Sequence, residues 1–350
     1  MKQFKALIIF LFISIFLVTF TMPAVAAQFT IKIVHNSNTN DEDYDGAMVF
    51  KDFVESQSNG KIKVEIYPGS QLCGNARECI ESVQAGILEV YISTIGGFSA
   101  LYPELQVLDL PYMFRDDRTA ECVFDGQYVT ELRKDVLKKV QNVRLMTISN
   151  TGGWRNFATV NKQIKTPGDV KGEKIRTIKS EIQIELVKLL GGNPTGIAWP
   201  EVYTSLATGV VAGSKNGITD IVGMKFHEHI KYFTIDGHAY MAALWWMNDA
   251  MFQSLPNDLK KVVIDGFIAL KQVTRAFPKR RAIAAYDEFK KSGGKIYVPT
   301  VAQKAAFQKA VGPLKGWFTD KFGNRSLDQL TYRIKQCEEK IEASYKIDVE

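Results

Sequence analysis

The 350-residue sequence has little of what metal sites and common catalytic motifs require. It contains four cysteines and four histidines, and the cysteine spacing matches no zinc signature. It has neither a nucleophile elbow nor a phosphate-binding glycine loop. In the only histidine cluster, His227 and His229 are two residues apart, a spacing that does not place both imidazoles on one helix face. We therefore expect no metal, no cofactor and no enzyme activity, and an exported enzyme is the weakest of the functional alternatives.

Clusters of basic residues are also scarce. The formal net charge is +6, and the densest basic run, 279–281, has no aromatic residues interleaved with it. Such a run is typical of a solvated helix face rather than of a nucleic-acid site. The sequence has no internal repeat and no low-complexity segment. We expect no nucleic-acid partner, and we expect a monomer.

The N-terminal segment 1–27 has the pattern of a secretory signal peptide. Two lysines precede an almost uninterrupted apolar stretch at 6–20, and small residues follow it, ending with Ala26 and Ala27. The alternative is a membrane anchor, but the stretch is short for a span of about 20 residues. No later apolar run is long enough to cross a bilayer. We expect cleavage after Ala26 or Ala27 and export to the periplasm.

The four cysteines are compatible with disulfides in an exported protein, because their number is even. Cys73 and Cys79 are close in sequence and could close a short loop. Cys122 and Cys337 are far apart and could pair only through the fold. Three connectivities are open, and so is the alternative that the thiols are free. The spacing favours a disulfide between Cys73 and Cys79.

Strand-like and helix-like segments alternate along the chain. Segments 29–35 (FTIKIVH) and 61–67 (KIKVEIY) have the alternation of strands, and the residues between them have helical spacing. The apolar segment 105–114 (LQVLDLPYMF) is predicted to be a strand that runs into a bend. After Thr151 the strand and helix pattern starts again. Alternation of this kind favours an α/β fold, with a largely parallel sheet covered by helices, and the length allows two lobes.

Two long segments near the middle of the chain could cross between the lobes more than once. Residues 238–249 form a long strand-like run, and 257–291 form a helical stretch that we expect to be kinked at Pro278. Such crossings make both lobes discontinuous and suit a hinge, with a ligand in the cleft between the lobes. The predicted division is lobe I at 28–152 with 242–282, and lobe II at 153–241 with 283–350.

Several ordered blocks, YPGSQL, YPELQVLDLPYMF, GWRNF, KTPGDVKGEKIRT and the long block from 189 to 221, resemble one known family. It is the DctP family, the solute-binding proteins of tripartite ATP-independent periplasmic (TRAP) transporters. The resemblance covers nearly the whole chain after residue 27. It implies a two-lobed periplasmic binding protein that captures a small organic anion and delivers it to large and small membrane permease subunits for ion-gradient-driven uptake. A receptor for a membrane sensor kinase is the alternative, and it would use the same cleft.

The resemblance implies four ligand-binding residues in the second lobe. Arg176 in EKIRT matches the arginine that binds the acid group of the ligand, for which the planar guanidinium is suited. Arg155 in GWRNF resembles a second arginine at the same cleft. Asn216 matches a family asparagine, although SKNG stands here where many relatives have QENP. Trp199 stands at the position of an aromatic residue that walls the cleft.

In the first lobe, Asn36, Ser93 and Thr94 follow or end predicted strands, where α/β clefts take their ligands. Small polar residues combined with several tryptophans favour a compact acid with a hydroxyl or keto group. A sulfonate such as isethionate, a hydroxy or keto carboxylate and an aromatic acid all remain open. A disulfide between Cys73 and Cys79 would stiffen a loop beside this cleft and reduce the ordering cost of binding.

Overall fold

The computed structural model describes residues 27–349, and residues 1–26 of the predicted signal peptide lie outside the described residues. Within that range, none of the helices combines the length and the apolar character needed to cross a membrane. The strands form one sheet in the order β2-β1-β3-β8-β4-β7-β5-β6, with β9 beside β8. They are β1 Phe29–Val34, β2 Ile62–Tyr67, β3 Val90–Thr94, β4 Val143–Thr159, β5 Lys174–Thr177, β6 Asn193–Gly196, β7 Gly213–Asn216, β8 Tyr232–Asn248 and β9 Lys295–Tyr297.

Helices cover both faces of this sheet, which makes the fold α/β as the sequence pattern predicts. They are α1 Glu42–Gln57, α2 Ala76–Gln84, α3 Ile95–Phe98, α4 Asp117–Asp125, α5 Gln127–Lys139, α6 Glu181–Leu189, α7 Val202–Ala207, α8 Ile218–Gly223, α9 Asp249–Ser254, α10 Asn257–Lys291, α11 Val301–Val311, α12 Leu314–Phe322 and α13 Arg325–Val349. Short 3-10 helices lie at Pro103–Asp109, Pro167–Val170, Trp199–Glu201 and Phe226–Glu228.

Two antiparallel strands, β4 and β8, connect the two halves of the sheet. Asn150 pairs with Ala242 and Trp154 pairs with Tyr240, so three residues of β4 oppose one residue of β8. Gly152 and Gly153, at the centre of this bulge, have φ of 72° and 82°, which glycine adopts without strain. The predicted lobe boundaries at 152 and 241 fall at this interruption. The division into lobes itself stays a prediction.

The tryptophan pair in β8 shows how the sheet is covered. Trp245 packs in the cluster of α1 and α10, and its Nε1 donates to Ser149 at 3.0 Å. Trp246 packs in the cluster on the other face, and its Nε1 donates to Ser93 at 2.8 Å. Because adjacent residues of a strand point to opposite faces of the sheet, the sequence predicts that one ring points into the core and the other away from it. The rings do lie on opposite faces, but both are fully buried because helices cover both sides of the sheet.

Helix α10 continues through Pro278 for 35 residues. Its first half packs closely on α1, where Gly266 lies against Phe50 and Val54. Farther along, Phe289 belongs to the cluster under the second-lobe strands. The helix therefore joins both halves of the molecule, and the predicted kink at Pro278 stays a prediction.

The C-terminal helix α13 packs against α4, α5 and the 3-10 helix Pro103–Asp109. The structure contains the disulfide Cys73–Cys79, which the spacing favours, and a second disulfide between Cys122 of α4 and Cys337 of α13. The sequence division placed 283–350 in lobe II. For α13 this is corrected, because its packing partners and its disulfide partner all belong to the segment assigned to lobe I.

The apolar segment 105–114 is expected to be a strand, but its first half belongs to the 3-10 helix Pro103–Asp109 and the rest is irregular. Proline in the first turn is compatible with a helical start. Gln106 then accepts hydrogen bonds from the Ser180 hydroxyl and from the Ile182 amide, both at 3.0 Å. The segment thus uses its buried polar residues to contact the start of α6, in the second lobe, rather than a neighbouring strand.

Gly217, at the start of α8, passes very close to the bulge in β4. A Cβ atom added at this glycine would lie 1.5 Å from the Gly152 carbonyl oxygen. We expect Gly217→Ala to lower the free energy of unfolding by about 2–3 kcal/mol, because backbone atoms must move apart. Urea unfolding measures this change.

The matched control is Gly316→Ala in α12, where an added Cβ meets no atom within 4 Å. We expect it to be neutral or stabilising by up to about 1 kcal/mol, since alanine is the better helix former. Equal effects of the two substitutions would show that the close approach at Gly217 is not tight.

Candidate ligand-binding site

The second-lobe side of the site lies at the carboxyl ends of three parallel strands, β5, β6 and β7. Arg176 on β5 donates from Nε and Nη2 to the Ile197 carbonyl, at 3.1 and 2.9 Å. Its guanidinium carbon is 5.4 Å from the centre of the Trp199 ring. The indole Nε1 of Trp199 is buried without a hydrogen-bond partner. Two predicted site residues are thus in contact, and each has polar capacity that no described residue uses.

The environment of Arg176 is unfavourable for an isolated charge. Its side chain is 4% exposed. Burial, and then repulsion from Arg155, lower the pKa of Arg176 from its usual value to about 9. The group remains protonated at neutral pH, so it is a buried cation for which an anion would be a favourable neighbour.

Arg155 lies on β4 and is equally buried. Its Nη1 donates to the Lys215 carbonyl at 3.2 Å, and its Nε lies 3.7 Å from Oδ1 of Asp109. Lys215 itself is buried and donates to Gln183 at 2.6 Å, and burial, followed by the nearby Arg155, lowers its pKa well below the usual range. The surroundings of Arg155 are therefore already polar and charged.

Asn216 ends β7 and pairs with Asn156 of β4. Its Nδ2 donates to Asp220 at 2.9 Å, and its Oδ1 accepts from the Ser214 hydroxyl at 2.7 Å. These bonds fix the orientation of the amide. The structure thus places Asn216 on the strand next to Arg155, with both amide atoms engaged by neighbours.

On the first-lobe side, Asn36 follows β1. Its Nδ2 donates to the Ser70 hydroxyl at 2.9 Å and to the Cys73 carbonyl at 3.1 Å, while its Oδ1 accepts from the Tyr91 hydroxyl at 2.6 Å. The Cys73–Cys79 disulfide closes the loop that holds Asn36. The disulfide and this predicted site residue are therefore adjacent.

Ser93 and Thr94 end β3, where they pair with Leu244 and Ala243 of β8. Ser93 is buried and its hydroxyl accepts from the Trp246 indole, whereas Thr94 is half-buried. The hydroxyl of Ser93 therefore already has a partner within the chain.

The two lobes are in contact around these residues. Besides the bonds of Gln106 to α6, Asn38 of the first lobe donates to the Gly223 carbonyl of the second at 3.0 Å. A separate cavity of about 430 Å³ lies at the hinge, lined by residues such as Trp154, Tyr240 and Pro278, and none of the seven predicted ligand residues lines it. Among residues 27–349 there is also no cluster of histidine, cysteine or acidic side chains suited to a metal ion.

Comparison with known proteins identifies the family. The model of bacterial extracellular solute-binding protein family 7, DctP, matches residues 33–319. The chain belongs to the DctP family. A solute-binding protein of Verminephrobacter eiseniae is 31% identical over 308 residues, covering 87% of this chain and 89% of that protein. The 2,3-diketo-L-gulonate-binding periplasmic protein YiaO of Escherichia coli is 29% identical over 296 residues, covering 85% and 88%.

Solved structures of DctP-like proteins have the same two-lobed fold. A TRAP periplasmic solute-binding protein from Sulfurospirillum deleyianum with bound succinate is 28% identical, with a TM-score of 0.81 over 87% of this chain and 98% of that one. One from a Polaromonas species bound to D-erythronate is 27% identical, with a TM-score of 0.81 and the same coverage. The predicted fold class and the predicted family are confirmed.

This DctP-family chain also has a cluster of buried carboxyl groups at the hinge. Glu42 accepts from the amide of Gly152, and Asp43 accepts from the Thr151 hydroxyl at 3.1 Å. Asp220 approaches the same glycine from the second lobe, since a Cβ added at Gly152 would lie 2.4 Å from its Oδ2. Burial raises the pKa of Glu42 and of Asp43 well above the usual range, and nearby Asp41 raises both further.

Sequence reasoning did not single out Asp43, Asp109, Lys215 or Asp220. All four are buried. One signal was available: Asp109 stands inside an otherwise apolar run, and a charged residue in such a run is seldom buried unless it has a partner. No comparable signal marks Asp220.

The pKa of Asp220 leads to a prediction for stability. Burial, and then Asp41, raise it from 3.8 to about 6. A carboxyl group with a raised pKa binds its proton more tightly in the native protein, so the free energy of unfolding falls as pH rises from about 4 to about 6 and then levels off. Asp220→Asn cannot titrate. Relative to wild type, its free energy of unfolding should rise across this window.

Urea unfolding of both proteins at about pH 4, 5, 6 and 7 measures this difference, because carboxyl groups far from Asp220 contribute equally to both. The difference reports Asp220 together with Asp41, Glu42 and Asp43, which interact with it electrostatically. A difference that stays constant from pH 4 to 7 would show that Asp220 titrates outside this range.

Proposed function

We propose that the protein captures a small organic acid in the cleft between its lobes and delivers it to the membrane permease subunits of a TRAP transporter. The observation that carries this proposal is the state of Arg176. The guanidinium is buried beside Trp199 at the ends of parallel strands, and no carboxylate of the described residues lies within 4 Å of it. Asp220 favours the charged form of Arg176, but less than burial and Arg155 disfavour it, so an acid group of a ligand offsets the cost that remains.

The relatives support an acid as the ligand class. Proteins similar to this chain are described as binding 2,3-diketo-L-gulonate, or are solved with succinate or D-erythronate. All three are carboxylates with few carbons. A sulfonate such as isethionate presents the same paired oxygens to a guanidinium, but no relative named above carries one, so carboxylates are the preferred class.

The positions of the predicted site residues support capture followed by closure. Arg176, Arg155, Trp199 and Asn216 belong to the second lobe, whereas Asn36 belongs to the first. A ligand that contacts both sides binds the closed arrangement more tightly than the open one and shifts the population toward it. Hydrogen bonds between the lobes, such as those that Gln106 accepts, further stabilise the closed state.

The cellular setting follows from the relatives and the sequence. Related proteins are named periplasmic, and the N-terminal pattern of this chain is that of an exported protein. We place the protein in the periplasm, as a monomer that meets its permease at the membrane surface.

A thermal-shift screen tests the proposal. The protein lacking residues 1–27 is unfolded and refolded to remove any retained ligand. It is then heated with small carboxylates, sugar acids, aromatic acids, sulfonates, and neutral sugars as the control class. At a concentration about 100 times Kd, a ligand adds about 2.7 kcal/mol to the free energy of unfolding. We expect a higher Tm with members of one acid class and no change with neutral sugars.

The outcomes separate clearly. Stabilisation by carboxylates supports the proposal and selects the compounds for calorimetry. A rise in Tm with neutral sugars alone would contradict the proposal. The absence of a rise with every acid tested would also contradict it.

A further inference from the structure

The two predicted anchor arginines are not equivalent. Arg155 is paired within the chain, because its Nε lies 3.7 Å from Asp109, and both side chains are at most 5% exposed. Asp109 ends the 3-10 helix Pro103–Asp109, which belongs to the first lobe. The charge of Arg155 is therefore partly compensated before any ligand binds, although its Nε makes no hydrogen bond with a described residue.

Arg176 has no such partner among the described residues. Its hydrogen bonds go to a backbone carbonyl, that of Ile197, which carries no net charge. Arg176, which has only the electrostatic influence of Asp220 and no salt bridge with a described residue, thus has more positive charge to offer a ligand than Arg155. The electrostatics of the site favour one acid group in the ligand rather than two.

The surrounding carboxyl groups add to this preference. Asp220 accepts from Asn216, a predicted ligand residue, and approaches Gly152 from the second lobe. Glu42 and Asp43 approach the same part of the hinge from the first lobe. Carboxyl oxygens accept hydrogen bonds from hydroxyl groups. Asp220, with a pKa of about 6, is also largely ionised at neutral pH and repels other anions, so the region beyond Arg176 suits hydroxyl groups and disfavours a second acid.

We propose that the site selects organic acids with a single acid group and a hydroxyl-bearing body, and discriminates against diacids of the same carbon skeleton. The acid pairs with Arg176, and Asp109 enforces the selection by occupying Arg155. This inference rests on the proposed function and narrows its ligand class.

Matched pairs of ligands test the selection. Calorimetry on the refolded protein compares D-erythronate with meso-tartrate, D-galactonate with galactarate, and 4-hydroxybutyrate with succinate. Within the pairs that bind, we expect the monoacid to bind at least about tenfold more tightly, a difference of about 1.4 kcal/mol. Equal or tighter binding of the diacid would overturn the inference and leave the proposed function intact. Binding by none of the acids would overturn both.

The role of Asp109 is tested by Asp109→Asn, which frees the charge of Arg155. We expect the affinity for the diacid to rise at least about tenfold, while the affinity for the monoacid changes less than about threefold. Asp52→Asn removes a carboxylate at an exposed position of α1 and should leave both affinities unchanged. If a folded Asp109→Asn protein kept the wild-type ratio of diacid affinity to monoacid affinity, Asp109 would not be the residue that enforces the selection. If that variant does not fold, the wild-type ligand pairs still decide the selection.

Discussion

An Arg176→Ala variant is expected to bind the organic acid ligand at least about a hundredfold more weakly than the wild type. Truncating one partner of a buried, hydrogen-bonded charge pair costs about 2–5 kcal/mol, and Arg176 is the guanidinium of the site with more positive charge to offer the ligand. Trp199 would also lose the cation that lies against its ring. Calorimetry with the best ligand of the screen measures the change in Kd.

Two further variants make this result interpretable. Arg176→Lys keeps the charge but not the planar fork, so we expect an intermediate loss of affinity. Arg280→Ala removes a positive charge at an exposed position of α10 and should leave Kd unchanged. If Arg176→Lys kept both the affinity and the preference among anions, Arg176 would not be the anchor of the acid.

Removing the Cys122–Cys337 disulfide is expected to cause the largest loss of stability. The two cysteines are separated by 215 residues, and the chain-entropy model gives about 5 kcal/mol for a loop of this length. We expect the double variant Cys122→Ser/Cys337→Ser to lose about 4–5 kcal/mol in the free energy of unfolding, measured with urea.

The Cys73–Cys79 disulfide provides a comparison within the same protein. Cys73 and Cys79 are separated by six residues, for which the same model gives about 2 kcal/mol. The double variant Cys73→Ser/Cys79→Ser should therefore lose about half as much stability, but it should also weaken ligand binding, because the loop that holds Asn36 is no longer closed. Similar losses of stability in the two double variants would contradict the entropic explanation.

The sequence predicts the parts of the fold whose residues repeat with a clear period. The opening strand, helix and strand lie where alternation and helical spacing put them, because each element buries one face on a neighbouring element. The long strand β8 and the long helix α10 were also predicted. The segment 105–114 was not, since an apolar run does not distinguish a strand from a short buried helix without knowledge of its neighbours.

The candidate site, like the fold, contains some residues that the sequence indicates and others that it does not. Arg176, Arg155, Trp199 and Asn216 were chosen because their motifs resemble those of a family, and whether they bind a ligand stays a prediction. The partners that decide their electrostatics could not be foreseen. The approach of Asp109 to Arg155 joins positions 46 residues apart in different lobes, and only the folded chain brings them together.

The attachment of α13 to the first lobe has a consequence for the order of folding. In the proposed exported protein, disulfides form outside the cytoplasm and the chain is delivered N-terminus first, so Cys122 arrives 215 residues ahead of Cys337. During that interval the surface formed by α4 and α5 has neither its covering helix nor its covalent partner. The lobe that begins the protein is thus completed last, and a chain truncated before α13 would leave an apolar surface on that lobe exposed.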